Sequence, residues 1–445
     1  METVLPLPFT DLPEDVQLWV LSFLRPSDIA AFASTCKRFV SLCRDDQRVW
    51  LSMCHRRWGS KTLINKWGSG SVRISYRRLY RILNEYENLI GFWRRCGDSA
   101  AVPESSPPLV FFEWGPFYIA GSRVLPSKNR GYEVIKKPFL WMSVAPNGEA
   151  VNYLDPYGRF PLTEDNLIGD LGSVENELIR VNVSFIGECH LVVEETLVVS
   201  GFRRGSSSGN LGGGNLENVY GSPPDKLMGE IYQYFANPTS PFGNGVSRRQ
   251  RRREKEKHGK MRKWEPEHFV KIVNCSPKPS RPLQGLWKGI CDDMSLDFYL
   301  VSYDDVGGIA CRKVGDSNRP ITYLAPIFWT SNLTFIESPF SSEEDYIYNC
   351  RIHLRPHVEE DQIDDHLSYS DDDDVSRMLY INSSYDLVIP DLVGTTVCTR
   401  QVEGRIWQYV NGTFGFGFLR DDYIIDLKHI ARNGHLLDTV EPSDG

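Results

Sequence analysis

From residue 89 onward the chain is written in short runs of β-branched and aromatic residues broken by Gly, Pro, Asn and Asp. The runs are Leu109–Ile119, Phe139–Val144, Ala150–Leu154, Glu177–Phe185 and His190–Ser200. After residue 264 they return as Phe269–Val273, Ser295–Ser302, Gly308–Val314, Tyr346–Leu354, Thr395–Val402, Arg405–Val410 and Tyr423–Leu427. Runs of this length between turn residues are strand signals. So many short antiparallel strands must hide their edges, which predicts a barrel or a sandwich. One echo favours the barrel. Leu89-Ile90-Gly91-Phe92-Trp93-Arg94 is matched by Leu283-Gln284-Gly285-Leu286-Trp287-Lys288. The glycine permits a tight bend where a strand begins, and the tryptophan two residues on supplies a large plug on the same face. Two such openings predict one barrel built from two halves, residues 89–202 and 264–435.

Two segments lack the apolar residues needed to offset the entropy of ordering. Residues 203–263 are Gly/Ser-rich and then basic, and residues 358–375 carry the acidic block Asp371–Asp374. Both are expected to be disordered insertions of the β region.

Residues 9–58 have a different, helical texture. Asp11 is placed to cap a helix with Pro13 early in it and Glu14 in its first turn, and Val16, Val20, Phe23 and Leu24 fall on one face. Arg25-Pro26 ends that helix, and Ser27 is placed to cap the next, whose stripe is Ile29, Phe32, Ala33, Cys36, Phe39 and Val40. Trp50 closes the unit. A segment this small without disulfides or metal is marginal alone, so its apolar face is expected to meet a partner or the following domain. Leu12-Pro13, Val20-Leu21, Leu24, Asp28-Ile29, Cys36-Lys37-Arg38-Phe39 and Val49-Trp50 together resemble the F-box. That resemblance implies binding of a Skp1-like adaptor, and through it a cullin, by Leu12, Pro13, Val20, Leu24, Ile29, Phe32 and Trp50. It makes the chain a non-catalytic substrate receptor of an SCF-type ubiquitin ligase. Residues 59–88 read as a helical linker, with Leu79, Leu83, Tyr86 and Ile90 as its stripe and Arg73, Arg77, Arg78 and Arg81 on the other face.

A chain of 445 residues with 41% hydrophobic content has material for two or three domains. Its net charge is −8, with 50 basic against 58 acidic residues. The first 96 residues hold 15 basic and 9 acidic side chains, so +6 there leaves −14 for the rest. This argues against a globally basic nucleic-acid binder. The ten cysteines form no C-x-x-C pair and read as free thiols in a reducing compartment. The N-terminus has no signal-peptide pattern and no run of 18 apolar residues occurs, so nucleus and/or cytoplasm is expected, with no membrane partner.

No acid, base, nucleophile or metal set emerges, and neither enzyme activity nor a cofactor is expected. Gly205–Gly209 matches the nucleophile-elbow spacing but lies in a Gly/Ser stretch without the strand and helix that the elbow needs. The run at 248–263, with ten Lys or Arg in sixteen, reads first as a nuclear import signal carried by Arg248, Arg249, Arg251, Arg252, Arg253, Lys255 and Lys257, and next as a solvated linker, with nucleic-acid contact behind both. It lacks the interleaved aromatics of single-strand binders.

A second resemblance concerns the β region. Gly285-Leu286-Trp287-Lys288-Gly289, the turn residues Lys313, Val314, Gly315, Asp316 and Asn318, the closing Phe414-Gly415-Phe416-Gly417-Phe418, and Gly91-Phe92-Trp93 are similar to the barrel domain of animal F-box-only proteins that recognise D-type cyclins. The likeness covers most of 89–435, and the loops at 203–263 and 358–375 depart from it. It implies a pocket for a short peptide, with Trp287, Lys288 and Asp316 as candidate substrate contacts. These residues also have structural readings, as core plug, strand-edge charge and turn residue. The expected architecture is α+β: a three-helix F-box, a helical linker and a lipocalin-like antiparallel barrel with long insertions. The rival readings are a nuclear nucleic-acid-associated protein and a carrier of a small apolar ligand.

Overall fold

The structure, a computed structural model, describes residues 8–68, 74–96, 109–127, 131–145, 147–156, 178–196, 264, 266–303, 308–314, 327–332, 334–356, 374–381, 403–432 and 434–440. It divides into two compact units. One holds the residues up to Gly91 with Phe112–Gly121 and Pro138–Asn182, and the other holds the remainder.

The first unit begins with α1 (Glu14–Ser22), α2 (Pro26–Ala33), α3 (Lys37–Cys43) and α4 (Leu51–Trp58). Glu14 and Asp15 sit in the first turn of α1, where carboxylates complement the helix dipole. Pro13 stands just ahead of the helix rather than inside it, and Asp11 makes no cap. Gln17 instead ties the preceding turn to the helix, its Nε2 donating to the carbonyls of Phe9 and Leu12 at 2.8 Å each. α2 likewise starts at Pro26, a residue before the expected Ser27 cap, with Arg25 paired to Asp28 at 3.0 Å. Leu18, Leu21, Ile29, Leu42, Val49, Trp50, Met53 and Trp58 are buried, and the Trp50 indole donates to Cys43 O at 3.0 Å.

Of the linker, residues 59–68 and 74–88 are described, and they hold a single 3-10 turn, Ile64–Lys66, and one α-helix. α5 (Tyr76–Glu87) buries the predicted Leu79, Leu83 and Tyr86. Asp46 starts it, accepting from the Tyr76 and Arg77 amides at 2.8 and 2.9 Å. Ahead of it, Thr62 Oγ1 donates to Gly115 O at 2.7 Å and accepts from the Trp67 indole at 2.9 Å. The Leu63 amide donates to Pro116 O at 2.8 Å.

The strands that follow are β1 (Gly91–Cys96), β2 (Leu109–Trp114), β3 (Ile119–Pro126), β4 (Val134–Val144), β5 (Ala150–Leu154), β6 (Ile179–Ile186), β7 (His190–Glu195) and β8 (Glu267–Lys271). Each pairs with the next, and β8 returns to β1 in the register Trp93 to Lys271 through Cys96 to His268. These eight form a closed antiparallel barrel. The run 109–119 is thus two strands, separated where Gly115 and Tyr118 bond at 2.8 Å.

A second sheet contains β9 (Gly285–Ile290), β10 (Leu296–Tyr303), β11 (Ile309–Val314), β12 (Ile327–Ser331), β13 (Ile336–Glu337), β14 (Ile352–Leu354), β15 (Val375–Ile381), β16 (Gly404–Tyr409), β17 (Phe414–Phe418) and β18 (Tyr423–His429). It also closes, through Ser331 to Ile381 between β12 and β15 and through β18 to β9. β13 lies against β15, and β14 runs parallel to β18. Short β19 (Ala431–Arg432) and β20 (His435–Leu436) form a hairpin, and β21 (Thr439–Val440) runs parallel to β4.

The expectation of one barrel in two halves is therefore corrected. Each L-x-G-x-W opening starts its own closed sheet, and β8, beyond the long insertion, belongs to the first. A second correction falls at 346–354, read as a strand. Ser341 accepts from the Glu344 amide at 3.3 Å and starts α6 (Ser342–Asn349), leaving only β14 as strand. The capping pair Ser341 and Glu344 was the overlooked signal.

Along β9 the side chains alternate. Trp287 points into the second barrel among Tyr299, Trp329, Phe414, Phe416, Ile425 and Leu427. Leu286 and Ile290 point outward and pack with Phe92, Leu109, Phe111, Val124 and Val134. Phe414, Phe416 and Phe418 are likewise inward, which explains the Phe-Gly alternation of β17. A Cβ on Gly415 would sit 2.5 Å from the Tyr409 hydroxyl and 2.7 Å from the Asp426 carboxylate.

Candidate functional site

α1 carries two apolar stripes in nine residues, and only one is consumed by the unit's own core. Leu18 and Leu21 face inward with Gln17 and Ser22. Val16, Trp19, Val20 and Phe23 face outward; Trp19 is 65% and Phe23 56% exposed. The Trp19 and Phe23 rings meet edge to face at 5.1 Å, and the Arg56 guanidinium lies 4.7 Å from the Phe23 ring. Beside the start of the helix, Phe9 touches Phe32 and Phe39, with the latter two rings stacked at 4.2 Å. An outward cluster of large apolar side chains on a folded unit is an interaction surface.

The predicted adaptor contacts divide accordingly. Pro13 and Val20 are exposed, and Leu12, Leu24 and Phe32 are half-buried. Ile29, 2% exposed, and Trp50, 6% exposed, lie in the core of the helical unit itself. Trp19 escaped the sequence reading. Its signal was the i, i+3, i+4, i+7 spacing of Val16, Trp19, Val20 and Phe23.

The candidate substrate contacts are placed otherwise. Trp287 is fully buried, stacks on His429 at 4.1 Å and donates to Leu283 O at 3.0 Å. Lys288 has no exposed side-chain surface. Its ammonium donates to Tyr132 O at 2.8 Å, Leu437 O at 3.1 Å and the Asp438 carboxylate at 2.7 Å. Burial lowers its pKa, and Asp438 opposes that shift. Both side chains are buried, Trp287 as a core plug and Lys288 through its three polar partners rather than as a strand-edge charge. Asp316 lies outside the described residues, as do the basic residues Arg248, Arg249, Arg251, Arg252, Arg253, Lys255 and Lys257 and most of the acidic segment 358–375. Of that segment, Val375 opens β15.

Two further polar groups were not foreseen. Asp426, buried on the outer face of β18, accepts from His353 Nδ1 at 2.8 Å, from Arg355 Nε at 2.6 Å and from the Tyr409 hydroxyl. Burial pushes its carboxyl up, but these partners hold it below the ordinary value. His190 and His268 are buried side by side on β7 and β8 with ring nitrogens 3.0 Å apart. Burial lowers both, His268 to about 4 with His190 contributing.

Burial raises the Cys54, Cys275 and Cys291 thiols to about 12, a protonated and unreactive state. Among the described residues no group of three or more His, Cys, Asp or Glu could hold a metal ion, and no helix is long and apolar enough to cross a membrane. The second barrel's interior is occupied by its own aromatic side chains, as in small barrels whose residues fill the lumen.

Comparison with known proteins agrees with the helical unit. The F-box-like family matches residues 9–56. An F-box protein of Arabidopsis thaliana is 48% identical over 436 residues, covering 98% of this chain and 98% of that protein. Two local similarities accompany it. An adagio-like protein of Oryza sativa subsp. japonica is 36% identical over 87 residues, 19% of this chain and 13% of that protein. An F-box/kelch-repeat protein of Arabidopsis thaliana is 32% identical over 81 residues, 17% of this chain and 16% of that protein. The chain belongs to the F-box protein family, whose members in general are non-catalytic substrate adaptors of SCF-type ubiquitin ligases.

Proposed function

We propose that the outward face of α1, with Leu12, Pro13 and Phe32 beside it, docks a Skp1-like adaptor and through it a cullin, while the β region receives a protein substrate. The observation that carries this reading is the second apolar stripe of α1. Val16, Trp19, Val20 and Phe23 stay outside a helical unit whose own core is already filled by Leu18, Leu21, Ile29 and Trp50. An amphipathic helix offering i, i+3, i+4, i+7 anchors fits helix-in-groove recognition. Ahead of the helix Tyr76–Glu87, the Thr62 hydroxyl and the Leu63 amide bond the turn at Gly115 and Pro116, which anchors that part of the linker. Calorimetry of the full chain with a purified Skp1-type adaptor tests the reading. Tight one-to-one binding that is lost in a folded Trp19→Ala, Phe23→Ala variant is expected. Absence of binding by the native chain would reduce α1 to a structural cap.

A further inference from the structure

One rim of the second barrel gathers cations and aromatic rings that no described carboxylate neutralises. Just before β9, Lys278-Pro279-Ser280-Arg281 forms a tight turn, with Lys278 and Arg281 exchanging backbone hydrogen bonds at 3.2 and 2.8 Å. Pro277, Pro279 and Pro282 limit the freedom of that turn. Leu283, the next residue, donates its amide to the Tyr303 hydroxyl at 3.2 Å, which fixes the turn to the end of β10. The Arg281 guanidinium lies 5.9 Å from the Tyr303 ring centroid. From β15, the Arg377 guanidinium lies 4.2 Å over Phe335, and its Nε donates to Gln408 Oε1 at 2.7 Å. Tyr303 and Phe335 are half-buried and pack on the barrel core, so the rim is built on rigid structure.

Burial raises the Tyr303 phenol, and the positive charges of Arg377 and Arg281 pull it back; both therefore bear on one ring. Among the described residues the Lys278 ammonium makes only a 3.4 Å contact with Asn274 Oδ1. Glu337 stands opposite Arg377 in the β13–β15 register, yet no ion pair joins them. A guanidinium held over an aromatic ring keeps its outward N–H donors for a planar or tetrahedral anion.

We infer that this rim, Arg281 and Arg377 beside Tyr303 and Phe335 with Lys278 in the adjoining turn, receives an anionic segment of the substrate protein. The inference rests on the adaptor reading and gives its substrate a chemistry: side chains carrying carboxylate or phosphate. A peptide is favoured over nucleic acid because three cations on a chain of net charge −8 are too few to track a phosphate backbone.

The test uses three displayed random-peptide libraries, with a fixed central phosphoserine, a fixed central pair of glutamates, or a fixed central pair of alanines. Each is selected on the full chain and on a double variant, Arg281→Gln with Arg377→Gln. Enrichment at least tenfold greater from the phosphoserine or the glutamate library than from the alanine library, lost in the double variant, is expected. Which of the two anionic libraries leads tells phosphate from carboxylate. Equal enrichment from all three, or enrichment indifferent to the two arginines, overturns the inference. So does binding of a single-stranded oligonucleotide that depends on the arginines while peptides do not. The double variant must keep the native unfolding midpoint and adaptor affinity, and Arg281→Gln alone, which leaves the Arg377 bond to Gln408 intact, serves where the Arg377 change destabilises the fold. Because adaptor binding is measured separately, failure of the rim leaves the α1 reading standing, and the reverse also holds.

Discussion

The residue that best separates sequence from structure is Lys288. In the sequence it is a cation on a strand, with a strand-edge charge as the favoured reading and substrate contact as the other. In the structure it is wholly buried, and its ammonium satisfies two carbonyls and one carboxylate. Nothing local announces this, because Tyr132 and Asp438 are 156 and 150 residues away. Replacing Lys288 by Met would leave those groups unpaired, and a loss of about 2–3 kcal/mol is expected in urea unfolding. An unchanged midpoint would mean that water or a shifted backbone replaces the ammonium. The two motif glycines are the opposite case. Gly91 and Gly285 have φ of 116° and 146°, as their place ahead of a buried tryptophan foretold. At Gly285 a Cβ would also stand 3.1 Å from Cys275 O. The paired histidines set a pH dependence with a definite sign. An unfolded histidine titrates near 6.5, whereas burial beside His190 holds His268 near 4. Below about 6.5 the unfolded chain takes up a proton that the folded chain refuses, so this contribution is whole above pH 6.5 and drains away toward pH 4. The urea midpoint should fall between pH 7 and pH 5, and the fall should be smaller in a His268→Gln variant. An equal fall in both would assign it to other groups.

Among the elements, α1 shows why a correct motif can still misassign its contacts. A nine-residue helix with Val16, Leu18, Trp19, Val20 and Leu21, capped by Phe23, carries apolar residues on two faces, and periodicity alone does not say which stripe turns inward. Burial does, and it separates two kinds of mutation. Ile29→Ala should destabilise the helical unit by about 2–5 kcal/mol and abolish adaptor binding only through unfolding. Trp19→Ala should weaken adaptor binding at least tenfold while far-ultraviolet circular dichroism and the melting midpoint stay native. If Trp19→Ala binds normally, the docking face lies elsewhere on the unit. The strands were legible where alternation was clean: Ala150–Leu154 is β5 as expected, and Arg405–Val410 differs from β16 by one residue at each end. They were illegible where a cap overrode a weak pattern, as at Ser341. The partnership of β7 and β8 was hidden by the insertion between them. Since Val193 stands opposite Glu267 in the ladder, the segment leaves and returns at one place. Replacing residues 203–263 by a short Gly-Ser turn should therefore preserve the barrel's melting midpoint. The same deletion should remove nuclear accumulation of a fluorescent fusion; unaltered accumulation would discard the import reading of Arg248–Lys257.

At the scale of the whole chain, the repeated opening motif meant duplication of a closed sheet rather than division of one. The sequence could not decide this, because a two-halves barrel and two barrels share strand content and spacing, and differ only in which distant edges meet. Those meetings are β1 with β8, β12 with β15, and β9 with β18. The first of them has a consequence for how the protein is made. Residue 195 ends β7 and residue 267 begins β8. A ribosome adding about 5–20 residues per second needs roughly 4–15 s to cross that interval. Throughout it, β1 and β7 have the backbone donors and acceptors of their facing edges unclaimed, and the nascent chain is an unsealed cylinder. Shortening the interval by codon choice or by deletion should raise soluble yield without touching the finished molecule, and the time-limited vulnerability would show as chaperone capture of ribosome-bound chains stalled before residue 267.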